Sequence, residues 1–578
     1  MKRTMALLLS VLLLFGLYPS AFAAAEEHTV EKRGYTTYCG SVDETLTEPL
    51  SLYFLDGVND LPYLEIDDLG ELIYFVNTQI NEDPNYGLSS SYDGDIVTFE
   101  RESGYKVEFD FAKDRISFGD YNAFMHNSYD STLIDLVTEP GFDENGKAQL
   151  ILRDKDKSFD RYGDIKVFDL SLYEIDLVRQ GDAYYIPLQT ANDIFFYPES
   201  KIGFLFNGQA LFLAKEDQLF SYADGDYTKL GELYYDAPTA QRSDALADYG
   251  YNELCLMMDN LYGLKEPHGI DNFSQTFWEI GFDEVLSGND AADADNALKQ
   301  FIEYYLDDLH SSFLEFSSIG GRQTFTANTG MANLKIDENI ELYGSARAAV
   351  YGDNCPAYEE VGNTAYITFD TFESDYYGQA FYAAKETGEY PDDTIGLIIH
   401  AHQQITREGS PIQNVVLDLS NNTGGAVDAA VFLLGWLLGD APFSIKDMST
   451  GAMSTSVYRA DVNLDRVFDE KDTVADRKLY CLISPVSFSC GNLVPAALKS
   501  AQRATLLGRT TGGGSCIVQP ASTAWGTVFQ ISGAQRMSFL KNGSFYDIDQ
   551  GIEPDYYIND IANFYNRAAL TDYINGLF

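Results

Sequence analysis

The chain is short of cysteine, tryptophan and basic residues: its 578 residues include six cysteines, three tryptophans and 38 Lys and Arg against 89 Asp and Glu. Each shortage excludes something. Six cysteines, at positions 39, 255, 355, 481, 490 and 516, are too sparse for a disulfide framework. No C-x-x-C pair or histidine-rich tract occurs, so neither a metal site nor an organic cofactor is expected. A formal charge of −51, spread along the whole chain, disfavours nucleic acid and anionic membrane as partners. After residue 17 no apolar run approaches the roughly 20 residues that a membrane span requires, so no stable membrane anchor is expected.

What is present begins with an export pattern. Lys2 and Arg3 precede an apolar stretch at 6–17, and Ala21-Phe22-Ala23 fits the small-x-small rule for cleavage, which marks 1–23 as a signal peptide and the protein as secreted or extracytoplasmic. The length and a 45% hydrophobic content allow more than one core. Residues 27–215 are rich in Tyr, Phe and Asp and carry short alternating runs such as KVEFDF at 106–111, which predict half-exposed strands. A weak internal duplication lies within them: DLPYLEIDDLGELI at 60–73 matches DAYYIPLQTANDIF at 182–195, each reading as a strand entering a short helix. This is a β-rich α+β accessory domain, expected to fold by itself.

A polar link leads to a helical section at 240–320. Leu254, Met257, Met258 and Leu261 recur on one helical face, and a second helix is predicted to start at Asp295 as its cap, with Leu298, Phe301, Ile302, Tyr305 and Leu309 in line. It ends at His310. A histidine there is favoured electrostatically by the helix dipole and has an ordinary structural reading.

The core spans 340–578. A strand at 414–419 runs into SNNTGG, whose paired glycines permit a sharp turn, and the helix at 429–438 is apolar nearly all round. The stretch 478–511 repeats the plan as an apolar strand, a bend after Pro485 and a helix from Asn492. Ser489 falls at the bend. It is either an N-cap or a nucleophile beside unpaired N–H groups that would stabilise an oxyanion. The alternation of strands and helices predicts a largely parallel sheet, with sites at its carboxyl edge.

Four segments in order, LDLSNNTGG at 417–425, SFSCGN at 487–492, GRTTGGG at 508–514 and GIEPD at 551–555, together with LDDLHSSF at 306–313, resemble the motifs of the C-terminal processing (tail-specific) serine peptidases. The resemblance covers roughly 254–558. It implies an α/β core of the crotonase-like (ClpP/crotonase) fold, a peptide or protein substrate, and Ser489 as nucleophile. Gly514 stands where the Ser/Lys branch carries its lysine, and Lys499 is not that residue's counterpart. The loop instead resembles tricorn-type members, which implies His310 as general base. A neutral imidazole, with an ordinary pKa of about 6.5, can take the serine proton.

Those members carry a glutamate at the position of Ile548, so Asp547 or Asp549 is the expected carboxylate. The oxyanion donors implied are the backbone N–H groups of Gly424 or Gly425 and of Cys490. Asn492 occupies a position that is often glutamate in the family. The intervening 55 or so residues between His310 and Tyr366 are too few for a PDZ domain. A non-catalytic binding protein, holding an apolar ligand or a peptide tail on the same fold, is the rival reading.

Overall fold

The computed structural model describes residues 28–80, 86–126, 132–137, 149–221, 226–375 and 378–577. The expected leader at 1–23 lies outside them. Two sheets organise the core. The first has six strands, in the order Tyr358–Val361, Thr364–Thr368, Asn414–Asp418, Lys478–Ile483, Ala504–Gly508 and Tyr556–Tyr557. Its first pair is antiparallel and the rest run parallel.

Sequence explains why this sheet lies inside the core. VVLD and LYCLI are apolar at nearly every position, as strands covered on both faces must be. Alternate residues then sort by face. Val415, Leu417, Cys481 and Ile483 meet helices Thr394–Thr406, Val427–Leu438 and Cys490–Ser500. Tyr366, Val416, Tyr480 and Leu482 meet Tyr343 of Met331–Tyr351, together with Phe564, Tyr565 and Leu570 from the C-terminal helices. A buried ion pair fastens that second layer, with Arg567 Nη2 2.6 Å from Asp418 Oδ2 and the two side chains 4% and 1% exposed.

The second sheet is antiparallel and is built around Val528–Lys541. That strand pairs with Ser312–Glu315, Ala441–Asp447, Cys516–Ser522 and Ser544–Tyr546. Met453–Ala460 lies beyond Ala441–Asp447 and carries Ile151–Arg153 and Phe159–Arg161 at its outer side. Two strands from the 27–215 region are therefore part of the core sheet. Further bonds join that region to the rest, from Asn122 Nδ2 to Asp447 Oδ2 (3.0 Å) and from Gln189 Nε2 to Ser522 O (2.9 Å). The boundary expected at 215 does not separate two independent units. Non-local strand pairing of this kind carries no signature in a local sequence window.

The two copies of the internal duplication are Tyr63–Glu65 leading into Ile66–Phe75, and Ala183–Pro187 leading into Leu188–Phe195. Their strands pair antiparallel, with Leu64 opposite Ile186. In the helical section, Asp244–Leu261 takes Ser243 as its cap. The second helix, Ala291–Gln300, takes Asp290 rather than the expected Asp295. Asp295 is fully buried inside it and accepts bonds from Trp525 Nε1 at 2.9 Å and Ser317 Oγ at 2.8 Å. An acidic run offers several caps; the side chain with interior partners is drawn inward, because a buried carboxylate must be bonded. Between His310 and the central sheet lie strand Ser312–Glu315 and the 21-residue helix Met331–Tyr351.

Deleting residues 28–215 is expected to abolish cooperative folding of the remainder, since it strips an edge of the antiparallel sheet and exposes its apolar face. Thermal unfolding followed by circular dichroism checks this. A truncated chain with a sharp transition near that of the full chain would show the region to be dispensable.

Candidate active site

The carboxyl edge of the parallel sheet brings together the ends of three strands. Thr364–Thr368 leads to Phe372, Asn414–Asp418 to the 420–425 loop, and Lys478–Ile483 to Ser489. Ser489 occupies the N-cap position of Cys490–Ser500, yet its side chain makes no capping bond. Its φ is +54°, a conformation costly for a residue with a Cβ. The ordinary capping explanation for this serine therefore fails. The elbow is held by three backbone bonds, from Ser489 N to Gly513 O (2.9 Å), Phe488 N to Asn422 O (3.1 Å) and Gly491 N to Phe488 O (2.8 Å). Ser489 itself is half-buried.

Close approach explains the glycines. A Cβ on Gly424, whose φ is +111°, would lie 2.6 Å from Ser489 Cβ and 3.2 Å from its Oγ. A Cβ on Gly491 would lie 2.5 Å from Asn422 O. The N–H of Gly424 is donated to Asn422 Oδ1 at 3.0 Å. Among the described residues no hydrogen bond engages the N–H of Gly425 or of Cys490, the first residue of its helix. Of the two glycines expected to donate to an oxyanion, Gly425 has the free group. Cys490 Sγ lies 3.2 Å from Gly425 O, and all six cysteines are free.

His310 is brought to the same edge by a bent segment. Asp307 (φ +46°) and Leu309 (φ +68°) are both left-handed, so the chain turns twice between helix and strand. Two carboxylates hold the bend. Asp307 accepts from the N–H groups of Ala332 and Asn333 at 2.6 and 3.0 Å, tying it to the start of Met331–Tyr351. Asp308 accepts from His310 N (3.1 Å), Ser311 N (2.6 Å), Ser311 Oγ (2.8 Å) and Tyr262 Oη (2.8 Å). The imidazole, 8% exposed as a residue, packs on Phe488 with ring centroids 4.6 Å apart. Burial pushes its pKa below the ordinary value, opposed by the charges of Asp308 and Asp549. No hydrogen bond joins the ring to Ser489; the side chain of Phe488, one residue earlier in the chain, is its contact on that side.

The two expected carboxylates separate. Asp547 is exposed and forms a 2.5 Å ion pair with buried Arg536. Asp549 is half-buried, receives Ser515 N at 3.0 Å, and is one of the two charges acting on His310. Gly514, at the position of the family lysine, has φ +81°, and a Cβ there would lie 2.4 Å from two ring atoms of Phe488. Lys499 is on another side of the helix, bonded to Glu553 O at 2.6 Å and paired with Asp555 at 3.2 Å. Asn492 donates to Ile548 O (2.9 Å) and accepts from Thr511 Oγ1 (2.7 Å), which ties the serine helix to both late loops.

Sequence reasoning assigned no role to Asp308, Asn422 or Phe488. The aspartate of the D-x-H-S pattern is the available signal for the first; the other two act through contacts between segments distant in sequence, which no motif announces. Among the described residues no cluster suited to a metal ion occurs.

Strand end, glycine turn and strained serine elbow define a site of the kind found in serine hydrolases. Residues 363–558 match the model of Peptidase family S41. A "Probable CtpA-like serine protease" of Staphylococcus epidermidis is 24% identical over 202 residues, 35% of this chain and 35% of that protein. A Chlamydia pneumoniae protein is 29% identical over 102 residues, 18% of this chain and 16% of that one. The chain thus spans about a third or less of the curated relatives it matches. Among solved structures, the photosystem II D1 C-terminal processing protease aligns with 36% of this chain and 47% of its own, at 19% identity and a TM-score of 0.26. Mature CPAF complexed with lactacystin aligns with 58% and 97%, at 12% identity and a TM-score of 0.37.

Gly491→Ala and Gly514→Lys test the two close approaches. Gly491→Ala is expected to displace the 420–425 loop, and Gly514→Lys to expel Phe488 from its place. Each should lower stability by about 1–3 kcal/mol, the usual cost of overpacking, measured by urea unfolding. A Gly514→Lys chain as stable as the parent would show the lysine position to be open.

Proposed function

We propose that this protein is a serine endopeptidase that acts by the Ser/His mechanism. The observation that carries the proposal is Ser489 itself, a strained serine whose side chain makes no capping bond, lies against Gly424 and sits one residue from the ring contact of His310. Ser489 attacks the peptide carbonyl, and His310 takes its proton and returns it to the leaving amine. Gly425 N–H and Cys490 N–H receive the oxyanion, Cys490 with the helix dipole behind it. Asp549 is the carboxylate that supports the imidazolium, and Asp308 positions it. The ring packs on Phe488 and makes no hydrogen bond to the hydroxyl, so this mechanism has peptide binding draw the pair together. Catalytic hydrogen bonds are often long in the free enzyme.

The crotonase-like reading belongs to the same proposal, supported by parallel strands that follow one another in sequence order across the sheet. So does action outside the cytoplasm, supported by the residues at 1–23. The space around Gly514 argues against a lysine base, and Lys499 is occupied elsewhere.

A fluorophosphonate probe, with the labelled peptide mapped by mass spectrometry, decides between peptidase and binding protein. Labelling at Ser489 is expected, and its absence from folded protein would favour the binding reading. Ser489→Ala and His310→Ala should each lower kcat by several orders of magnitude, with little further loss in the double variant, as for residues acting as one unit.

The pH profile follows from burial of the base. A depressed pKa keeps His310 neutral further into the acid range, so kcat/KM should hold through about pH 6.5 and fall only below it. An acid limb above the ordinary histidine value would assign the base to another group.

A further inference from the structure

Two acids that the candidate site does not use meet at the joint between the 27–215 region and the helical section. Asp193 lies on Leu188–Phe195, the helix of the second duplicated copy, and Glu253 on Asp244–Leu261. They are 3% and 1% exposed, and their carboxyl groups touch. No Lys or Arg is among the groups that act on either. Two full negative charges so placed would repel each other in a medium that already disfavours both.

The donors around the pair are accounted for. Asp193 Oδ1 accepts from Gln189 Nε2 at 2.8 Å, and Glu253 Oε2 accepts from Thr190 Oγ1 at 2.6 Å. Tyr249 Oη receives Thr190 N at 3.1 Å and lies 3.0 Å from Thr190 Oγ1. Asp193 Oδ2 and Glu253 Oε1 are left over, each fully buried and receiving no N–H or O–H from the described residues. Leaving either bare is costly. A protonated acid has the O–H that a carboxylate lacks, so one proton between the two carboxyl groups gives the pair the donor it is missing.

The other titratable groups facing the pair are tyrosines. Tyr249 shares the helix of Glu253 and Tyr197 belongs to Tyr197–Ser200; burial keeps both protonated. Tyr63, Glu216 and Tyr234 act on those tyrosines rather than on the acids. Burial pushes Glu253 up to about 7, against its bonds to Thr190, Asp193 and Tyr249, and holds Asp193 well above the carboxylate range.

We propose that Asp193 and Glu253 share one proton, and that this acid–carboxylate pair is a pH-sensitive latch between the 27–215 region and the section that carries His310. A third segment is tied to it. Gln189, which holds Asp193, also donates to Ser522 O at 2.9 Å, at the end of Cys516–Ser522. The proposal does not depend on the peptidase reading. While the proton is present the recess carries one charge; when the proton passes to water a second appears, with no cation to receive it. The folded joint retains a proton that the unfolded acids, with ordinary values of about 4, release. Its stability is therefore complete below about pH 4 and is lost as pH rises through about 7.

Urea unfolding of the parent and of Asp193→Asn/Glu253→Gln, which keeps both side-chain shapes and titrates at neither, tests the latch. Between about pH 5 and 7 the parent's unfolding constant should rise about tenfold per pH unit relative to the double variant, the slope of one bound proton. Parallel slopes overturn the proposal. Infrared spectra read the proton itself: at pH 6 the difference between parent and double variant should contain one protonated carboxyl band and one carboxylate band. Two protonated bands, or none, overturn it. Should the double variant not fold, hydrogen exchange of the parent, corrected for intrinsic rates, decides. Amides of 188–195 and 244–261 should lose protection between pH 6 and 9 while those of 414–418 and 478–483 keep theirs; the same change in all four segments overturns the latch.

Discussion

The site depends on one constraint, the near-contact of two loops that leave neighbouring parallel strands. Asn422 is where they meet. Its backbone oxygen receives Phe488 N, its side-chain oxygen receives Gly424 N, and its amide nitrogen donates to Phe369 O at 3.1 Å. One residue thus sets the spacing of three strand ends. The glycines at 424 and 491 are required because this spacing leaves no room for a Cβ. The strain at Ser489 is sustained by the same bonds: a left-handed serine persists only where its surroundings over-determine it. Behind the loop, the Asp418–Arg567 ion pair fixes the strand end from which Asn422 departs, with Ser420 Oγ also donating to Asp418 Oδ1 at 2.6 Å.

His310 comes from a separate part of the chain and needs its own anchorage. Asp307 and Asp308 divide that work, one holding the long helix and the other the turn carrying the imidazole. The strand that follows joins Val528–Lys541, which also pairs with the strand emerging from the 508–515 loop. His310 and Ser489 are therefore referred to a common sheet despite a separation of 179 positions, from 310 to 489. Burial disfavours the charged ring, and the carboxylates of Asp308 and Asp549 work against that effect. The proton affinity of the imidazole is thus set by opposing forces rather than by a single partner.

Much of the parallel sheet was legible because its strands are short apolar runs ended by glycine or proline, and a strand covered on both faces must be apolar throughout. The helix at Asp244–Leu261 was legible from its periodicity for the same kind of reason. Asp295 was misread because a cap and a buried acceptor look alike in sequence, and only the position of Trp525 and Ser317 in space decides between them. The joint between 151–161 and 453–460 was illegible, since strand partners nearly 300 positions apart leave no local mark. At the site, residue types and order indicated Ser489 and His310. What separates Asp547 from Asp549, and Gly424 from Gly425, is occupancy: Arg536 has taken one carboxylate and Asn422 one N–H. Occupancy is a property of the folded chain.

The departure at Asn492 is compensated by its neighbours. An ionised glutamate has only acceptors to offer, whereas an amide supplies both a donor and an acceptor. Both are used, the donor towards Ile548 O and the acceptor from Thr511 Oγ1. Thr511 in turn receives Ile552 N at 2.6 Å, and its own N–H is donated to Ile552 O at 3.1 Å. The residues from 548 to 552 are thereby stitched to the helix that begins after Ser489, and Asp549 lies within that stitched segment with its carbonyl oxygen receiving Gly514 N at 3.1 Å. The Asp549 charge that acts on His310 is thus placed by an amide in the first turn of the helix after Ser489. Replacing that amide with a carboxylate would remove the donor to Ile548 and bury a second negative charge near Asp549, so in this chain asparagine and Asp549 are coupled choices.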